Sequence, residues 1–202
     1  MKTLIFIFTF ILLASPGISQ YKKFSSLSKY EKRWAIFRPF AACKIKKHQK
    51  EMYAAYDSVK KSNVLDQYSN GGKLDAFRHV FAMAYFTRFV PVKKLRKLGV
   101  AHEKGNYLDF KKGRLEDGEL PDSISCVMDL KNNELGLEIG KANKKLNLEE
   151  LKTLVVQKIN SGAALIIRRN RAGVYINCEG DLIPEKEKGT WSISKCLVGS
   201  GS

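Results

Sequence analysis

The chain has 202 residues, with 36 Lys plus Arg against 20 Asp plus Glu and a formal net charge of +16. That length suits one domain with a sizeable core, and the charge favours acidic partners: nucleic acid, anionic lipid or an anionic envelope polymer. The lysines are scattered through "CKIKKHQKE", "VKKLRK" and "DFKKGR" without interleaved aromatics, so a stacking groove for single-stranded nucleic acid has no support.

The chain opens with "MKTLIFIFTFILLASPGISQ". One cation, Lys2, precedes an apolar run from Leu4 to Ala14; Pro16 and Gly17 then break it and small residues follow. The run is about half of the roughly 20 apolar residues a membrane-spanning helix needs. Charged end, short apolar centre and small-residue exit describe a secretory signal peptide over 1–19, with cleavage expected after Ser19. No Cys lies at the exit, so a lipid anchor is not expected there. The expected protein is secreted or periplasmic, with no transmembrane segment after cleavage.

Residues 20–162 read as a helical domain. "SLSKYEKRWAIF" opens with Ser28-x-x-Glu31, a capping box ahead of an apolar periodic run. Pro39 ends or kinks that helix. A second helix is expected from Phe40 to Lys61, then "SNGG" at 69–72 breaks the chain. "GGKLDAFRHVFAMAYF" reads as a helix that is apolar nearly all round, ended by Pro91. "VKKLRKLGVAHEKG" predicts another helix, with Leu95, Leu98 and His102 on one face. "GRLEDGELPDS" is polar and turn-rich, and "CVMDLKNNELGLEIGKA" returns to helical spacing. Asn147-x-x-Glu150 caps one more helix, which Gly162 closes.

Residues 163–202 change period. "ALIIR" and "GVYIN", joined by "RNRA", predict a β-hairpin, and the rest predicts an irregular tail packed on the same domain. The fold class is therefore mainly α: a compact helical bundle with a small C-terminal hairpin. Four cysteines in an exported chain suggest two disulfides, Cys178–Cys196 across the tail and Cys43–Cys126 between helices. Their spacing excludes a zinc ribbon or finger.

Three segments carry polar residues on faces that ought to be buried. Asp75, Arg78 and His79 share a face at offsets of three and four. His102 points the way of Leu95 and Leu98, and Glu103 follows it. Asp129, Asn132, Asn133 and Gly136 share another face. Buried ionisable groups need partners, so the stripes are expected to meet. His48, among lysines, reads as exposed and without a role.

"DAFRH", "AHE" and "MDLKNNELG" stand in the order of a signature, D-A-F-R-H, H-E, M-D-L-x-N-N-x-x-G, which resembles that of an uncharacterised exported bacterial family, the DUF6973-like group. The likeness covers about residues 30–160. The aromatic–small pair at the end of the first block is only loosely kept, as "VFAMAYF". The resemblance implies a mainly helical domain in which the three blocks form a shared site; it implies no activity.

From the residues themselves, one function is a secreted hydrolase acting on an anionic, phosphate-containing or cell-envelope substrate. Asp75, Arg78, His79, His102, Glu103, Asp129, Asn132 and Asn133 are its candidate catalytic residues. One divalent metal such as zinc is expected on His79, His102, Asp75 and Asp129, lowering the pKa of a water. A metal-free version uses His79 and His102 as base and acid. The alternative is a non-enzymatic envelope-binding or structural module with a buried polar network. The zincin pattern H-E-x-x-H is absent because residue 106 is Asn, and no nucleophile elbow appears. The lack of a P-loop or Rossmann glycine motif leaves a nucleotide cofactor unsupported.

Overall fold

A computed structural model describes residues 24–202; the expected signal peptide lies outside the described residues. Helix α1 (Lys29–Phe37) starts where the capping box requires: the Glu31 amide donates to Ser28 Oγ, and the Ser28 amide donates to Glu31 Oε2. Pro39 takes the first position of α2 (Pro39–Ser62), where its missing N–H costs nothing. Gly71, at φ 68°, turns the chain into α3 (Lys73–Phe86). The helix stops one turn before the expected Pro91. Thr87 Oγ1 donates to the Ala84 carbonyl there, and Pro91 instead caps α4 (Val92–Lys111). Helices α5 (Ser123–Ala142) and α6 (Leu148–Asn160) follow, and Asn147 and Glu150 form the second capping box.

Helix α3 is the central element. Leu74, Phe77, Val80, Phe81, Ala84 and Tyr85 are all essentially inaccessible. Burying each large apolar side chain contributes about 1.5–3 kcal/mol, which offsets the cost of the polar residues on the same helix. Helix α5 approaches closely because two glycines face α3. A Cβ at Gly136 would lie 2.3 Å from the Val80 carbonyl oxygen, and one at Gly140 would lie 2.4 Å from that of Ala84. Any side chain there forces the helices apart. That close approach sets the "DAFRH" and "MDLKNNELG" blocks against each other.

The C-terminal antiparallel pair forms, with a different second strand from the one expected. Strand β1 (Leu165–Ile167) pairs with β2 (Leu197–Gly199), matching Ile166 to Val198. "GVYIN" makes only two isolated bridges, Arg169 to Tyr175 and Ile176 to Leu182. The reason lies in three backbone bonds: Arg168 N–H to the Cys196 carbonyl, Cys196 N–H to that of Ile176, and Ile176 N–H to that of Arg168. The tail enters between the expected partners. The Cys178–Cys196 disulfide is present. The expected Cys43–Cys126 bond is not: Cys43 faces solvent from α2, while Cys126 is buried on α5.

Candidate functional site

Helices α3 and α5 bring Asp75, His79 and Asp129 together. One ligand atom from each lies within 4.8 Å of the others, and all three residues are buried. His79 Nε2 lies 3.2 Å from Asp129 Oδ1 and 3.5 Å from Asp75 Oδ1. Neither contact is a hydrogen bond: His79 Nε2 and Asp129 Oδ1 are buried and unpartnered. The other ring nitrogen, Nδ1, sits 3.3 Å from Asn133 Oδ1. An amide oxygen can only accept, so Nδ1 carries the proton and Nε2 turns its lone pair toward the two carboxylates.

Asp75 is held from two sides. Its Oδ2 accepts the Gly71 amide at 2.8 Å, and its Oδ1 accepts from Arg78 Nη2 at 2.7 Å. Arg78 also reaches Asp117 at 3.1 Å. The turn before α3 is fixed in its turn by the C-terminal segment. Ile167 donates to the Gly71 carbonyl, and Arg169 and Tyr175 both donate to that of Asn70. Residues distant in sequence therefore set the position of Asp75.

Electrostatics separates the groups. Burial, reinforced by the Arg78 charge, pushes His79 well below the usual imidazole range, so the ring is neutral. Burial, reinforced by Asp75 and Glu103, raises Asp129 well above the usual carboxylate range. Arg78 stays charged: burial opposes this, but Asp75 and Asp117 outweigh it.

His102 lies in a different cluster. Its Nδ1 is 3.1 Å from Glu31 and its Nε2 is 3.2 Å from Glu116. Burial alone would lower its pKa, but hydrogen bonds to Glu116 and Glu31 raise it to about 10. Glu31 responds in the opposite sense: burial would raise it, yet His102 and Ser28 bring it down to about 2. Both nitrogens of His102 are thus taken up by carboxylates, and the metal-competent group of Asp75, His79 and Asp129 does not include it. Glu103 lies between the clusters. Its Oε2 accepts from Asn106 at 3.0 Å, its buried Oε1 has no partner, and burial raises its pKa.

Asn132 is placed away from the site. Its amide donates to the Leu165 carbonyl and accepts the Leu165 amide, both at 2.9 Å, so it anchors β1 to α5. His48 is half-buried rather than exposed, stacked on Phe89 with ring centroids 3.7 Å apart. Glu31, Glu116 and Asp117 complete the two clusters, and the sequence reading assigned them no site role. The cue for the last two was the acidic tetrapeptide "EDGE" inside a turn.

A cavity of about 10 Å³ opens beside Asp75, Arg78, Glu116, Asp117, Cys126 and Asp129. That is near the minimum for one water-sized body. At Glu119 it borders a shallow groove of about 430 Å³, walled by Arg169, Tyr175, Lys188 and Lys195. Grooves of this size take small ligands.

Searches of curated proteins and of solved structures returned no match. A family model described as "Domain of unknown function (DUF6973)" matches residues 32–163, a span that holds all three polar blocks. The chain belongs to the DUF6973 family.

Proposed function

We propose that Asp75, His79 and Asp129 hold a divalent cation of zinc type, in an exported hydrolase for an anionic, phosphate-bearing or envelope-derived substrate. One observation carries this reading. His79 Nε2 and Asp129 Oδ1 are buried without hydrogen-bond partners and face each other at 3.2 Å. Leaving such atoms unsatisfied costs about 1–3 kcal/mol each, and a bound cation removes that cost. The spacing fits: bonds of about 2.0–2.2 Å in a tetrahedron give ligand–ligand edges of about 3.3–3.6 Å. The edges from His79 are 3.2 and 3.5 Å.

A cation there supplies Lewis acidity and makes a bound water more acidic. The protein's own groups do the rest. Asn133 fixes the His79 tautomer, as outer-shell partners of metal ligands do. Glu103, its pKa raised by burial, is a carboxyl placed to hold or move a proton beside the site. Arg78 offers positive charge at the cavity wall to a developing oxyanion. The groove beyond Glu119 seats the remainder of the substrate.

The reading of a non-enzymatic module with a buried network has one observation in its favour. Asp129 is driven toward its protonated form, and a protonated carboxyl can donate to a histidine lone pair. Elemental analysis of native protein, followed by zinc titration of chelated protein, separates the two. Stoichiometric metal, lost in His79→Ala, supports the centre. A chain that carries no metal and binds no added zinc leaves the network.

A further inference from the structure

The corner between α1 and α2 exposes three large apolar side chains within five residues: Ile36 at 65%, Phe37 at 70% and Phe40 at 83%. α1 ends at Phe37 and α2 begins at Pro39, so the three exposed side chains lie at or beside the junction of the two helices. Clustered exposure of this kind marks an interaction surface, because a folded chain gains nothing by leaving it wet.

The surroundings indicate what covers it. Residues 29–50 contain eight Lys and Arg and one acid, Glu31. Glu31 is buried and held by Ser28 and His102, so it does not offset these charges at the surface. This one segment therefore carries a large part of the chain's +16. Arg33 lies on the face of Phe37, its guanidinium 5.8 Å from the ring centroid. Lys44 and Lys47, both exposed, follow Phe40 at offsets of four and seven on its own helix face. Cations thus rim an apolar tip.

We propose that this corner docks the protein on an anionic lipid surface, with Ile36, Phe37 and Phe40 entering the headgroup–acyl boundary and the surrounding Lys and Arg meeting lipid phosphates. Interfacial binding needs both components, apolar burial and attraction to anionic lipid. A soluble anionic polymer would use the cations but has no use for three exposed apolar side chains. No helix among the described residues is long and apolar enough to cross a membrane, so the contact is peripheral. The inference does not depend on the proposed metal centre.

Flotation of the full chain with vesicles tests it. One set is pure phosphatidylcholine and the other contains about 30% phosphatidylglycerol, enough to give a negative surface potential. The expected result is binding about tenfold tighter to the anionic set, and a loss of about tenfold in Ile36→Ser/Phe37→Ser/Phe40→Ser. The substituted residues are exposed, so circular dichroism and the melting temperature should not move. Any contribution from residues 1–23 is common to both proteins. An environment-sensitive dye on exposed Cys43 should shift to the blue on anionic vesicles, while buried Cys126 resists labelling. Equal vesicle binding by wild type and variant overturns the proposal. So does a wild type that binds soluble polyphosphate but neither set of vesicles.

Discussion

Two histidines in this molecule each face two carboxylates, and they end in opposite states. His79 is neutral, with a buried nitrogen aimed at Asp75 and Asp129 but bonded to neither. His102 is protonated, with each nitrogen held by a glutamate. Proximity to acid does not separate them, since the contacts are 3.2 and 3.5 Å at His79 and 3.1 and 3.2 Å at His102. Direction and neighbours do. Asn133 claims the proton of His79, and Arg78 opposes a second one. Around His102, Glu116 and Glu31 outweigh burial. One cluster is closed upon itself, whereas the other keeps donor atoms in reserve.

If that contrast is right, the histidines fail differently when removed. His102→Ala strands Glu31 and Glu116 without their cation. It should destabilise by about 3 kcal/mol, read as a shift in the urea midpoint at constant slope. His79→Ala in chelated protein should cost less, about 2 kcal/mol, because it removes the Asn133 bond and the packing of the ring but breaks no ion pair. A larger loss in His79→Ala than in His102→Ala would reverse the assignment.

Zinc sharpens the contrast from the other side. At a hundredfold excess over its Kd, zinc should stabilise wild type by about 2.7 kcal/mol. His79→Ala should abolish this gain and His102→Gln should keep it, in melts with and without chelator. Asn133→Ala should leave the fold intact and weaken zinc binding about 10–100-fold.

The two adjacent asparagines offer a smaller test. Asn132→Ala removes both bonds to the Leu165 backbone and should cost about 2 kcal/mol, with no change in zinc affinity. Denaturant titration and zinc titration of the two alanine variants should therefore move in opposite patterns. Identical behaviour would place both residues in one network.

The smallest effect is on pH. Folding raises the His102 pKa from 6.5 to about 10, so its contribution is complete below pH 6.5 and fades as pH rises toward 10. Folding lowers Glu31 from 4.5 to about 2, so its contribution is complete above pH 4.5 and fades as pH falls toward 2. The alkaline loss should be roughly 2 kcal/mol, since the pair titrates together and is partly solvated. Stability curves of wild type and His102→Gln should lie furthest apart between pH 4.5 and 6.5 and converge near pH 10. Curves that stay parallel would remove the charge from His102.

The sequence by itself determined the helices and the existence of the problem. Ser28 with Glu31, Asn147 with Glu150, and the "SNGG" break are local signals, closed by hydrogen bonds three residues apart or by a single glycine dihedral. The inward placement of Asp75, His79, Asp129 and Asn133 was equally legible, because helical spacing fixes which residues share a face. Tertiary structure alone decided who meets whom. His102 obeyed the same spacing rule and found Glu31 and Glu116 rather than His79, because α1 packs on α4 while α5 packs on α3. Asn132 and Asn133 are neighbours in sequence, yet a helix turns about 100° per residue, so one meets β1 and the other His79. The clamp on Asn70 comes from Arg169 and Tyr175, 99 and 105 residues further along, and the strand partner of β1 lies beyond both. Local patterns fix an element and its inward face; the angle and depth at which elements meet come from packing, here from Gly136 and Gly140 admitting α3, which brings His79 within reach of Asp129 and Asn133.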